Sequence, residues 1–235
     1  MQKLIIKGKR ELNGKISISG SKNATLPILA ACILSNKTRL KNIPLVKDIF
    51  TMVELLEFIG LKIKIIKKQN ILEVSNNEKK INTLAPYKLV KTMRAGVLVL
   101  GSLLTKYGRA KVSLPGGCAI GTRPVDLHLF ALKKLGAKIK IKNGYIIADA
   151  KKGLKGSTIK FPSISVGATE NALLASFNAK GKTILKNCAI EPEIEDLISF
   201  LIKLGSNIKI SGRTISIFER KNTKSEINHN VMFDR

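Results

Sequence analysis

One pattern recurs three times along this chain and restricts what it can fold into. A helix-length stretch closes in Leu-Gly or Ile-Gly, and a strand rich in Ile and Lys follows at once. The first copy is 47–60, then 61–65, with a partner strand at 71–74. The second is 125–136, then 137–141, with Asn143-Gly144 as a hairpin turn into 145–148. The third is 194–205, then 207–210, with Ser211-Gly212 turning into 214–217. The closing glycines are Gly60, Gly136 and Gly205, at intervals of 76 and 69 residues. Such spacing means one supersecondary unit used three times.

Each unit also has a more apolar helix upstream, at 24–34, 91–104 and 169–178. Helices apolar nearly all round are buried. Each unit is therefore β-α-β-α-β-β in outline, and the expected fold is α/β, with three sheets outside and three apolar helices inside. Pseudo-threefold symmetry makes the inner helices parallel, so their N-termini converge. Lys22 and Asn23, Arg94, and Ser165-Val166-Gly167-Ala168-Thr169 stand at those ends. Three positive helix ends with two cations make an anion site. The plainer alternative is that Lys22 and Arg94 are solvated surface charges.

Residues 2–20 read as two short strands, 2–6 and 15–19, the second alternating with period two. Gly20-Ser21-Lys22-Asn23 is not a P-loop, because Gly14 to Gly20 is one residue too long and the order is Gly-Ser-Lys. The opening residues lack a signal peptide's apolar core, and the longest apolar stretch, 95–104, is too short to span a bilayer. A cytoplasmic protein with no membrane partner is expected.

The net charge of +26 invites a nucleic-acid reading. However, 34 lysines against 8 arginines are spread widely and often alternate with Ile, and there is no Trp. Base stacking has little to work with, so no specific nucleic-acid partner is expected. Cys32, Cys118 and Cys188 are too few and too scattered for a disulfide framework or a Cys-x-x-Cys metal pair. Cys32 and Cys188 lie in apolar runs and read as core residues. His128 and His229 have no ligand-spaced partners, and no metal or organic cofactor is signalled.

Cys118 is different. It sits in Ser113-Leu-Pro-Gly-Gly-Cys-Ala-Ile-Gly-Thr-Arg-Pro-Val-Asp-Leu-His128, a loop with three glycines. Arg123 lies five residues on, and a nearby cation favours the thiolate. Pro124 suits the first turn of a helix that begins at Val125. Taken alone, Gly-Gly-Cys is more simply a turn with an incidental thiol.

The whole string, however, closely resembles the active-site loop of the UDP-N-acetylglucosamine 1-carboxyvinyltransferase family, enolpyruvyl transferases with an EPSP synthase-like fold. Gly-Ser-Lys-Asn at 20–23, Lys-Thr-Met-Arg-Ala at 91–95, Ser-Val-Gly-Ala-Thr at 165–169 and Glu-Pro-Glu-Ile-Glu-Asp at 191–196 fall in the family's order and spacing. The resemblance implies two domains, each a threefold-repeat inside-out α/β barrel, with a cleft between them. Residues 1–21 would be the first strands of a second domain, 22–228 the complete loop-bearing domain, and 229–235 the crossover back. A C-terminal half, carrying a general-base aspartate and further arginines, would be the partner. The implied reaction moves the enolpyruvyl group of phosphoenolpyruvate to the 3-hydroxyl of UDP-N-acetylglucosamine and releases phosphate, opening peptidoglycan synthesis.

The resemblance also implies the residue roles. Cys118 is the acid and covalent-adduct residue and the fosfomycin target. Lys22, Arg94 and Arg123 clamp phosphate, and Asn23 contacts the sugar. Arg123, Pro124, Val125, Asp126 and Leu127, with Ser165, Val166 and Gly167, line the UDP-sugar site. Ser163 stands where some members carry a lysine toward the nucleotide phosphates. Three alternatives accompany this reading: the 3-phosphoshikimate enzyme of the same fold, which lacks the cysteine loop; a non-catalytic UDP-sugar or phosphate-binding domain; and a basic nucleic-acid binder.

Overall fold

A computed structural model describes residues 3–9, 11–76, 81–116, 125–220, 224 and 226–235. The first unit contains α1 (Lys22–Ala31), β1 (Lys37–Lys41), α2 (Lys47–Ile59), β2 (Lys62–Ile66) and β3 (Ile71–Ser75). The second contains β4 (Leu84–Ala85), a single helical turn α3 (Tyr87–Val90), α4 (Val99–Tyr107), β5 (Arg109–Ser113), α5 (Asp126–Lys134), β6 (Lys138–Lys142) and β7 (Tyr145–Asp149). The third contains β8 (Thr158–Lys160), α6 (Val166–Ser176), β9 (Thr183–Lys186), α7 (Pro192–Lys203), β10 (Asn207–Ser211) and β11 (Thr214–Phe218), and β12 (Glu226–Asn230) follows.

The strands form three four-stranded sheets of one topology, ordered β12-β1-β3-β2, β4-β5-β7-β6 and β8-β9-β11-β10. In each, the first two strands are parallel and the other pairings antiparallel. The Lys-Ile strands β2, β6 and β10 are all edge strands. Lysine on an edge discourages pairing with another chain, which gives the alternation a physical use. The helices before them end on Gly60, Gly136 and Gly205, all with φ near or above +95°. That left-handed conformation is open to glycine at no steric cost and turns the chain straight into the strand.

The interior is helical. Every residue of α1 from Ala24 on is buried, as is every residue of α6 from Ala168 on. α4 packs on α6 and on α1, and the 3-10 turn Arg94–Leu98 leading into α4 touches both. α1 and α6 start alike. Ser21 accepts from the Ala24 N–H and Thr25 Oγ1 donates to the Ser21 carbonyl; Ser165, Ala168 and Thr169 repeat both bonds. Serine satisfies one of the orphan donors of a helix start, so Ser-x-x-Ala-Thr is a folding signal written twice.

Several expectations change. Residues 3–9 and 11–19 form no strand, and Leu4, Ile5, Ile6, Leu12 and Ile16 are exposed. A strand needs a ladder partner, and none is present among the described residues. The first sheet takes its parallel strand from β12, so a domain boundary at 228 falls inside a strand. β12 runs to Asn230, and Val231 beyond it is fully buried. The second inner helix begins as the 3-10 turn at Arg94, with residues 91–93 outside it. The third begins at Val166, three residues before the expected start. The β10–β11 hairpin turns on Gly212-Arg213, since Ser211 is already paired with Thr214.

Candidate active site

The N-terminal ends of the three inner helices meet at one cavity of about 370 Å³. Asn23 contributes from the first turn of α1, Arg94 from the start of the 3-10 turn, and Ser165, Val166 and Gly167 from the start of α6. His128, in the first turn of α5, and Glu170, one turn into α6, complete the polar lining. A second cavity of about 290 Å³ adjoins it, sharing Asn23 and Glu170 and reaching Glu191, Glu193 and Arg235.

Backbone N–H groups of a helix start, a guanidinium and an amide side chain facing one space suit an anion with several oxygens. Among the expected residues, Asn23, Arg94, Ser165, Val166 and Gly167 are brought together. Lys22 is not in the lining; its Nζ pairs with Asp48 at 3.2 Å, both half exposed. Val125 is buried at the start of α5, Asp126 is exposed and Leu127 is half-buried. Ser163 is exposed and outside the lining. Cys118, Arg123 and Pro124 lie outside the described residues. Cys32 and Cys188 are fully buried, and burial pushes their thiols up to about 12 and about 11, which leaves them unreactive. The described residues include no cluster of three or more His, Cys, Asp or Glu that could hold a metal ion.

Two site residues were not anticipated. Glu170 is almost fully buried, and burial together with Glu193 and Glu191 pushes its carboxyl up to about 8. It is therefore protonated at neutral pH and can donate into the cavity. Arg235 offsets part of that acidic group, contacting both Glu193 oxygens at 3.2 Å. His128 is also buried, and burial with the nearby Arg94 lowers it to about 4, so it stays neutral. The signal for His128 was its place at the end of the loop string. Nothing in the string distinguishes Glu170.

A family model described as EPSP synthase (3-phosphoshikimate 1-carboxyvinyltransferase) matches residues 6–235. The chain belongs to the EPSP synthase family. Curated relatives matched over the whole chain include the UDP-N-acetylglucosamine 1-carboxyvinyltransferases of Pelagibacter ubique (strain HTCC1062), 58% identical, and Rickettsia prowazekii (strain Madrid E), 51% identical. The chain spans 56% of the length of each. Among solved structures, the enolpyruvyl transferase NikO from Streptomyces tendae superposes with a TM-score of 0.81 at 20% identity, covering 97% of this chain and 53% of that one. An EPSP synthase from Acinetobacter baumannii gives 0.72 at 18% identity, covering 93% and 49%. The EPSP synthase-like α/β fold thus agrees with the threefold repeat. No helix among the described residues is long and apolar enough to cross a membrane.

Proposed function

We propose that this chain carries the loop-bearing domain of an enolpyruvyl transferase acting on phosphoenolpyruvate and UDP-N-acetylglucosamine, at the first committed step of peptidoglycan synthesis. The observation that carries the reading is the convergence of Asn23, Arg94 and the α6 start on one cavity, in a chain 58% identical to a relative of that name.

In the addition step the sugar 3-hydroxyl gives its proton to a base of the C-terminal half as its oxygen bonds to C2 of phosphoenolpyruvate, while C3 takes a proton. In the elimination step C3 returns a proton, the C2–O bond to phosphate breaks and phosphate leaves. The positive charge that develops at C2 and the departing phosphate both need fixed, dry electrostatics. Arg94, with Lys22 and Arg123, is assigned to the phosphate; Lys22 must exchange Asp48 for the ligand to do so. Asn23 is assigned to the sugar. Val125 to Leu127 and Ser165 to Gly167 are assigned to the nucleotide side. Cys118 is assigned as proton donor to C3 and as the fosfomycin-sensitive thiol. A C-terminal half supplies the remaining groups.

The test is phosphate release from the two substrates by a preparation that also contains the C-terminal half. Release is expected, and a Cys118→Ser variant should lose most of it or its fosfomycin sensitivity. No release with UDP-N-acetylglucosamine, but release with shikimate 3-phosphate, would overturn the substrate assignment.

A further inference from the structure

The three sheets share one topology, so each position on an outer face has two counterparts. β1, β5 and β9 are the second strands of their sheets, and each points cations outward. In the first sheet acids answer them: Lys37 Nζ lies 3.1 Å from Glu226, and Arg39 lies 3.7 Å from Glu73, its partner across the ladder. In the second, Arg109 is paired with Asp149, and the Lys111 ammonium lies 4.7 Å from the Tyr145 ring centroid. In the third, no strand residue is acidic.

Lys186 of β9 meets Thr214 across the ladder, where Arg39 meets Glu73 and Arg109 meets Asp149. On its other side it is paired with Lys160 of β8, and both lysines are exposed. Like charges opposed across a ladder repel. Lys182, just before β9, and Lys209 of β10 approach the Phe218 ring from the two neighbouring strands, at 5.0 and 6.0 Å from its centroid. Edge protection accounts for Lys209, but not for Lys182 and Lys186, because β9 lies inside the sheet. Glu219, which follows β11, is already engaged, accepting the Gly181 N–H at 2.6 Å.

We propose that the outer face of β8-β9-β11-β10 is a docking surface for an acidic polypeptide segment, rich in Asp or Glu. Such a partner supplies the carboxylates that the two sister sheets carry themselves and this one lacks. Lysine is a flexible point charge, suited to carboxylates strung along a chain without fixed geometry. A nucleic acid fits less well, because bases need an open ring to stack on. Phe218, the one aromatic of these strands, is half-buried with two ammonium groups over it. A bilayer fits less well too, because Ile184 and Phe218, the apolar residues of this face, are half-buried and offer no anchor. None of these residues lines the cavity at the inner-helix ends, so the proposal stands apart from the enzymatic reading.

The test is fluorescence anisotropy with a labelled peptide of alternating Glu and Ser, titrated with the full chain at low salt. Lys160→Gln, Lys182→Gln, Lys186→Gln and Lys209→Gln are combined in one variant. Lys37→Gln, Arg39→Gln, Lys41→Gln and Lys64→Gln, on the first sheet, form a control with the same loss of charge. Every changed residue is exposed, so both variants should stay folded. The third-sheet variant should bind roughly tenfold more weakly, about twofold per lysine, and the control within about threefold of the parent. Equal losses in both would mean that the peptide senses only net charge. No binding by the parent, or no loss in either variant, would mean that this face does not hold it. Each of these results overturns the proposal. Oligothymidine of equal charge and vesicles with about one-third phosphatidylglycerol in phosphatidylcholine are titrated alongside. Tighter binding of either, lost with the same four lysines, would give the face to a nucleic acid or a membrane and overturn the acidic-segment assignment.

Discussion

At the scale of single residues, burial decides chemistry here more than residue type does. Glu170 holds its proton because water is excluded and Glu191 and Glu193 face it. The unfolded chain releases that proton near the ordinary glutamate value, while the folded chain keeps it to about pH 8. Between those values the folded state binds more protons, so Glu170 costs stability as pH rises. Glu170→Gln should therefore flatten the loss of stability from pH 5 to pH 9, by an amount on the order of a few kcal/mol. Thermal melts across that range check it; an unchanged slope would mean that Glu170 ionises normally. His128 acts with the opposite sign, its contribution being complete above the ordinary histidine value and lost as pH falls toward 4. Glu170 was not legible as a site group from the sequence, and His128 only through its place at the end of the loop string. A glutamate after Ala-Thr and a histidine in a helix turn become unusual only through what packs around them. Lys22, which its motif marks as a ligand group, pairs with Asp48 of α2 here.

At the scale of elements, the packing of α4 on α6 holds the cavity wall in place. Gly101 makes the close approach. A Cβ there would fall 2.4 Å from Asn171 Oδ1 and 2.6 Å from the Asn171 carbonyl oxygen. Gly101→Ala should therefore push the helices apart, strain the 2.8 Å bond from the Gly101 N–H to Asn171 Oδ1, and cost roughly 1–3 kcal/mol or more. Denaturant unfolding measures it, and a neutral substitution would contradict the packing described. The helices themselves were readable. Ser21 and Ser165 mark two starts, and the closing glycines mark the outer helices' ends. The start of the second inner helix was not, because Lys-Thr-Met before Arg94 resembles helix while the chain turns there.

At the scale of the whole molecule, the threefold repeat was plain in the sequence because Ile-Lys alternation and closing glycines are local signals. The strand that completes the first sheet was not. Glu-Ile-Asn-His-Asn has poor strand propensity, and β12 becomes a strand because β1 offers a parallel edge over five residue pairs. His229 secures it: its Nε2 meets Asp196 Oδ1 at 2.9 Å, and Asp196 Oδ2 accepts the Met232 N–H at 3.1 Å. Deleting 226–235 exposes β1, Ile227's pocket and this tie. The melting temperature should fall by roughly 10 °C or more, or the transition should lose cooperativity. Calorimetry decides it, and an unaltered melt would show β12 to be dispensable.

The same tail meets the other end of the domain. Gly20 bridges Phe233, the Ser21 N–H reaches the Met232 carbonyl and the Asp234 N–H reaches the Ser19 carbonyl. Two stretches more than two hundred residues apart in the chain, 19–21 and 232–234, are thereby laced side by side, so the start of α1 and the segment after β12 are anchored to each other.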